Sequence, residues 1–308
     1  MALLEVTKVD IKYYGSSFEL RDVNLTLSKG QSLVVYGMEN SGKTTLLRSL
    51  CGLEEYCSGS ILLEGIELKE LSQKDMDVGF TFDRRVLESK ATVEDTISYP
   101  MKLRGIESRA IERYLDMTAS RLDLPLQLQI KSLSDLQVAK LILARLFAVD
   151  RRLYLIDDVW KDLPKDEQNL VIAYLKENIR GKSVIVATDD RALARDISSD
   201  NIVVLSDKQV LPVLSLEEIS NRPLNMQSAC FAGYELHLGQ LIKVEDDYFA
   251  SLYGGQYKVA KPIGDVYVGK KVCFAIKRSG EPSEKKEVGD GVVMSFYYDS
   301  SNERIISL

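Results

Sequence analysis

The sequence predicts an α/β domain with a largely parallel sheet, followed by a smaller all-β domain. Three observations carry the prediction. Gly37 to Thr45 reads G-x-x-x-x-G-K-T, a phosphate-binding loop, with apolar Leu33-Val34-Val35-Tyr36 before it and a helical run after it. Strand-like and helix-like segments then alternate as far as Leu205. From Glu235 onward only short strand patterns separated by turns remain.

Leu3 to Val9 alternates and predicts a strand; Ile11 to Ser17 reads as a break, with Gly15 and two serines marking a turn. Phe18 to Leu27 alternates in its second half, as a half-buried strand does, and Ser28-Lys29-Gly30 turns the chain toward the loop. The loop's chemistry follows from its residues. Glycines let the backbone curl so that several N–H groups face one phosphate. The helix N-terminus adds a partial positive charge. Gly37, Asn40, Ser41, Gly42, Lys43, Thr44 and Thr45 are therefore the expected nucleotide contacts. Lys43 reaches the β/γ-phosphates in this reading, and the Thr44 hydroxyl can ligate Mg²⁺.

After a helix stopped at Gly52, Ser58 to Gly65 reads as a strand and turn, and Val78 to Phe82 as a short strand ending at Asp83. Val93 to Leu128 is mostly helical, amphipathic from Ile106 to Leu122, and punctuated by Pro100 and Pro125. Ser132 to Asp135 opens a helix that runs through Leu146, with Asp135 suited to its N-terminus. Leu153 to Ile156 is a buried strand ending in Asp157-Asp158. Gln168 to Ile179 predicts a helix, Ser183 to Ala187 a strand ending at Thr188-Asp189-Asp190, Ala192 to Ile197 a short helix, and Ile202 to Leu205 a strand. The texture changes at Asn221-Arg222-Pro223. Short strands follow at Gln240 to Val244, Tyr248 to Leu252, Gln256 to Val259, Lys271 to Ile276 and Val292 to Tyr297, a small sandwich or barrel. The expected domains are 1–222, with a helical subdomain at about 88–140, and 223–308.

With 308 residues, the chain is long enough for one large or two ordinary domains, and 45% hydrophobic residues is the composition of a soluble globular protein. No apolar run is long enough to span a membrane and no basic-then-apolar leader is present, so a cytoplasmic protein without a covalent membrane anchor is expected. A net charge of −6 gives no global basic field for nucleic acid. Cys51, Cys57, Cys230 and Cys273 lack C-x-x-C spacing and read as reduced packing residues. His237 is the only histidine, which excludes a metal site of several histidines.

The stretch up to about Arg222 resembles the ATPase subunit of an ABC transporter, in the order and spacing of its motifs. Tyr14 lies where that family places an aromatic that stacks on adenine. Gly37 to Thr45 matches the Walker A loop, and Val78 to Asp83 aligns with the strand entering the Q-loop. Ala91 to Ile97 resembles the segment that opens the helical subdomain. Leu133-Ser134-Asp135-Leu136-Gln137 falls at the signature L-S-G-G-Q, which clamps ATP on the opposite subunit. Leu153 to Asp158 falls at Walker B, and Ala187 to Asp190 at the switch histidine. The all-β tail resembles the OB-like (TOBE) C-terminal module of carbohydrate-importer ATPases. The resemblance implies an ABC-type P-loop NTPase fold, with ATP and Mg²⁺ as cofactors and Asp157 holding Mg²⁺ through water. It also implies a peripheral position on the inner face of the cell membrane, beneath transmembrane permease subunits. The dimer partner would be a second ABC ATPase subunit or another copy of this chain.

The departures from the family pattern are informative. Asp83 replaces the Q-loop glutamine and could still face a metal. Asp158 replaces the glutamate that polarises the attacking water, keeping the carboxylate but withdrawing it by one methylene. A displacement of about 1 Å can cost on the order of a hundredfold in rate, so Asp158 is a weakened base. Asp189 replaces the switch histidine; an ionised carboxylate cannot donate to the γ-phosphate and repels it. His237 lies in the all-β domain and is not placed to substitute. The signature keeps Ser134 and Gln137, but Asp135-Leu136 replaces both glycines, and Lys161-Asp162-Leu163-Pro164 stands at the D-loop. These features predict a subunit that binds MgATP with weak or no intrinsic hydrolysis. The alternatives are a soluble nucleotide-binding regulatory protein, or a slow but active transport ATPase using Asp158.

Overall fold

The computed structural model describes residues 2–12, 19–81, 86–206, 209–259, 267–278 and 292–298. The chain divides into two units, Met1–Val213 and Leu214–Leu308. The texture change at Asn221-Arg222-Pro223 falls inside the second.

The first unit opens with β1 (Ala2–Lys12), β2 (Glu19–Ser28) and β3 (Ser32–Gly37), then α1 (Lys43–Leu50). β4 (Ser58–Leu63), β5 (Ile66–Glu67), the single turn α2 (Gln73–Met76) and β6 (Val78–Phe80) follow. Three helices, α3 (Val93–Leu103), α4 (Ser108–Leu122) and α5 (Asp135–Phe147), form the helical region. The alternation then resumes with β7 (Leu153–Asp157), α6 (Lys165–Ile179), β8 (Val184–Thr188), α7 (Arg191–Ile197), β9 (Ile202–Ser206) and β10 (Gln209–Val210).

These strands build one sheet in the order β5-β4-β1-β2-β10-β9-β3-β8-β7-β6. The run β9-β3-β8-β7-β6 is parallel, as expected from strands separated by helices. The other half departs from the largely parallel expectation: β1 pairs antiparallel with β2 and β4, and β4 with β5. For β1–β2 and β4–β5 the connection is a few residues, which can only reverse the chain, whereas parallel neighbours need a crossover.

Burial follows the same division. β3, β8 and β9 are buried almost end to end, because helices cover both faces. Alternate residues of β7 serve the two faces. Leu153 and Leu155 pack with Leu46, Leu47 and Leu50 of α1; Tyr154 and Ile156 pack with α5 and α6. This wedges α1 and its leading loop against the C-terminal ends of the parallel strands. A capping box starts α3: the Thr92 side chain accepts from the Asp95 amide, and Asp95 reaches back to the Thr92 amide. Pro100 does not end α3 but lies inside it.

The second unit begins with α8 (Leu216–Asn221) and α9 (Met226–Ala232), each opened by a capping box, Ser215 with Glu218 and Asn225 with Ser228. β11 (Glu235–Val244), β12 (Asp247–Leu252), β13 (Gly255–Val259), β14 (Lys271–Arg278) and β15 (Val292–Tyr298) form an antiparallel sheet in the order β13-β12-β11-β14-β15. The two outer strands, β13 and β15, approach one another, so the sheet curls toward closure.

Candidate nucleotide site

β3 delivers the chain to Gly37 at the mouth of the sheet. A Cβ there would stand 2.5 Å from Ser41 Oγ and 3.0 Å from the Leu205 carbonyl oxygen, so the loop closes this tightly only around glycine. Gly42, the residue capping α1, sits at φ 105°, a conformation that costs a side-chain-bearing residue strain. α1 carries no carboxylate in its first turn. Its leading amides and its dipole therefore face the cleft without an internal anion to occupy them. Lys43 Nζ donates to the Gly37 carbonyl at 2.7 Å and the Met38 carbonyl at 3.0 Å, which holds the ammonium against the loop.

The end of β7 brings the acids. Thr44 Oγ1 donates to Asp157 Oδ2 at 2.6 Å, and the Asp157 amide donates to Thr81 Oγ1 at 2.8 Å. Asp158 follows with φ 31° and is 7% exposed. Burial, and after it the nearby negative charge of Asp189, push its carboxyl up to about 7; Asp157 adds to the rise, while Lys43 and the Asp189 amide oppose it. Asn40, Lys43, Thr44, Asp157, Asp158, Asp189 and Asp135 line one cleft of about 1160 Å³.

The neighbouring acid Asp190 has a different duty. Its carboxylate caps α7, accepting from the Ala192 amide at 2.8 Å and the Leu193 amide at 3.1 Å, and it accepts from Lys165 Nζ at 2.6 Å. Burial works against its charge, but Lys165 and the α7 amides hold its carboxyl below the usual range. Asp189 is left facing the cleft.

Ser134 and Gln137 form the capping box of α5. Ser134 Oγ accepts from the Gln137 amide at 3.2 Å, and Gln137 Oε1 accepts from the Ser134 amide at 3.0 Å. Both side chains are thus used in starting the helix, and neither lines the cleft. Asp135, in the first turn, does. Tyr14 and Asp83 lie outside the described residues. His237 is in β11 of the second unit, where Nδ1 hydrogen-bonds the Tyr253 hydroxyl.

One polar lining residue is not singled out in the sequence reading of the site: Thr81, 3% exposed, directly after β6. A hydroxyl inside the apolar run Val78-Gly79-Phe80-Thr81-Phe82 is the signal that could have found Thr81.

The donor set suits a hard cation. A hydroxyl and a carboxylate already in contact, Thr44 with Asp157, are the oxygen ligands that Mg²⁺ takes beside phosphate. Ser41 Oγ, buried under the loop, has no hydrogen-bond partner among the described residues. Residues 20–161 match the family model described as ABC transporter. That stretch is similar to an ABC transporter ATP-binding domain.

Relatives agree with that family. The chain is 28% identical over 251 residues to the spermidine/putrescine import ATP-binding protein of Thermotoga maritima, covering 80% of this chain and 68% of that protein. It is 27% identical over 227 residues to the maltose/maltodextrin import ATP-binding protein of Photorhabdus laumondii, covering 72% and 61%. It is 28% identical over 275 residues to the sulfate/thiosulfate import ATP-binding protein of Acinetobacter baylyi, covering 86% and 76%. The ABC transporter match thus takes in β2, the phosphate loop, the helical region and the acid pair. Among the described residues no helix is long and apolar enough to cross a membrane.

Proposed function

We propose that this chain is the ATP-binding subunit of an ABC importer that holds ATP with Mg²⁺ and hydrolyses it weakly or not at all on its own. The relatives named as import ATP-binding proteins support the importer reading. The observation that carries the hydrolytic part is the pairing of Asp158 with Asp189 beside Lys43.

A carboxyl poised near 7 is well matched to proton abstraction, so protonation alone does not disable Asp158. Reach and partner do. Asp158 is one methylene shorter than the glutamate of the family pattern. Asp189 adds a negative charge where the family pattern has a hydrogen-bond donor to the γ-phosphate. Ground-state binding survives these changes better than the transition state does, because donors aimed at developing charge supply much of the rate.

The binding side is intact in this reading. The loop amides and Lys43 take the phosphates, and Thr44 and Asp157 hold Mg²⁺; the family pattern assigns Tyr14 to the adenine and leaves Asp83 as a possible further metal ligand. Bound Mg²⁺ supplies neutralisation of phosphate charge. Asp135, at the start of α5, presents a carboxylate where the signature of one subunit would meet the nucleotide of another, together with Ser134 and Gln137. A homodimer would repeat that repulsion at both sites. A second ABC ATPase subunit with ordinary residues is the better partner. The site built from that partner's catalytic groups and this chain's signature then does most of the turnover. Transmembrane permease subunits above the pair place the chain peripherally on the inner face of the membrane. The curl of the five-stranded sheet in the second unit supports an OB-like module there, and sugar import is the cargo which that likeness favours.

The test is paired. ATP binding with Mg²⁺ is measured by equilibrium dialysis, and phosphate release by a steady-state assay, on the purified chain and on Lys43→Ala. Binding in the parent, its loss in the variant and background phosphate release are expected. Unaltered binding by Lys43→Ala would overturn the loop assignment, and turnover at ordinary ATPase rates would overturn the hydrolytic part.

A further inference from the structure

Thr81 combines three features. It is buried, it lines the phosphate cleft, and its hydroxyl oxygen accepts the Asp157 amide hydrogen at 2.8 Å. Its own amide already donates to the Leu155 carbonyl at 3.0 Å, which continues the β6–β7 ladder. The Thr81 amide is therefore satisfied without its own side chain, and the hydroxyl serves the Asp157 amide, taking the place of a ladder carbonyl. Among the described residues the hydroxyl proton has no acceptor, although buried O–H groups find one as a rule. The Asp157 carboxylate, fixed at its amide by Thr81, is the group that holds Thr44 at 2.6 Å.

We infer that Thr81 is a positioning residue for the metal–nucleotide: its hydroxyl anchors Asp157 and donates its proton to an oxygen of the bound metal–nucleotide or of that metal's water shell. The hydroxyl has one lone-pair contact and one free proton, and they point to two tasks. Accepting from the Asp157 amide sets where the carboxylate begins. Donating into the cleft adds a contact that exists only when an oxygen ligand is there. The geometry of the pair Thr44–Asp157 then depends on a residue on a different strand, which keeps both ligands in register before the ion arrives. This inference rests on the reading of the loop as a MgATP site.

The experiment measures affinity for ATP with Mg²⁺ and for ATP in excess EDTA, by equilibrium dialysis, for the parent chain, Thr81→Val, Thr81→Ser and Thr81→Ala. Valine matches threonine in shape and lacks the hydroxyl. A loss of roughly tenfold in MgATP affinity is expected for Thr81→Val, with metal-free ATP binding changed less than about twofold, and near-parent behaviour for Thr81→Ser. Should Thr81→Val not fold, Thr81→Ser against Thr81→Ala isolates the hydroxyl, since both lack the methyl group. Equal losses with and without Mg²⁺, or no loss in either condition, would overturn the inference, as would a Thr81→Ser variant as weak as Thr81→Ala. Failure of the underlying reading looks different: Lys43→Ala would then bind ATP like the parent chain.

Discussion

Gly37 has no room for a side chain, since a Cβ would stand 2.5 Å from Ser41 Oγ and 3.0 Å from a backbone oxygen of β9. The hydroxyl could rotate, but the carbonyl could not. Gly37→Ala should therefore displace the loop and weaken ATP binding at least tenfold while leaving the far-UV circular dichroism unchanged. Unaltered affinity would show that the loop relaxes freely. Asp158 makes a second prediction. In protein free of metal and nucleotide, its carboxyl titrates near 7 when folded and near 3.9 when unfolded. Between those values the folded chain holds a proton that the unfolded chain has released, so stability falls as pH rises from about 4 to about 7. Urea melts across that range should show the slope, and Asp158→Asn should flatten it. The same residue predicts that Asp158→Glu alone does not restore ordinary turnover, because Asp189 and Asp135 remain. Full phosphate release from that single change would mean that the other departures matter little.

At the scale of elements, α5 shows how one set of residues answers two questions. Ser134 and Gln137 satisfy the amides at the helix start, a role that requires no second subunit. Removing the cap with Ser134→Ala should cost about 1 kcal/mol of stability, read as a lower denaturation midpoint, without changing ATP affinity of the isolated chain. A fall in affinity of similar size would place Ser134 in the chain's own nucleotide site. Asp189 and Asp190 divide labour in a similar way at the end of β8. Asp190 caps α7 and pairs with Lys165, leaving Asp189 to the cleft. Adjacent identical residues hide that division from any reading of sequence alone.

At the scale of the whole molecule, what is legible in the sequence tracks what local chemistry dictates. The phosphate loop, the helix behind it and the apolar strands ending in Asp157-Asp158 and Thr188-Asp189 are local patterns, and Lys43, Asp157, Asp158 and Asp189 line one cleft. The antiparallel half of the sheet is less legible, because partner choice between β1, β2 and β4 is set by connections and burial rather than by residue type. α8 and α9 are too short to show a helical period, and only their caps, Ser215 with Glu218 and Asn225 with Ser228, betray them. Thr81 shows in the sequence only as a hydroxyl inside an apolar run, and its role does not show at all. Its value lies in a contact with the next strand of the sheet, and no spacing rule reports that. The central claim is that this chain holds nucleotide without consuming it. The direct measurement mixes a stoichiometric amount of γ-labelled ATP with the isolated chain and Mg²⁺ and follows the bound label over hours. Intact ATP should remain bound, and the complex should be absent with Lys43→Ala. Release of labelled phosphate within minutes, dependent on Lys43, would contradict the account.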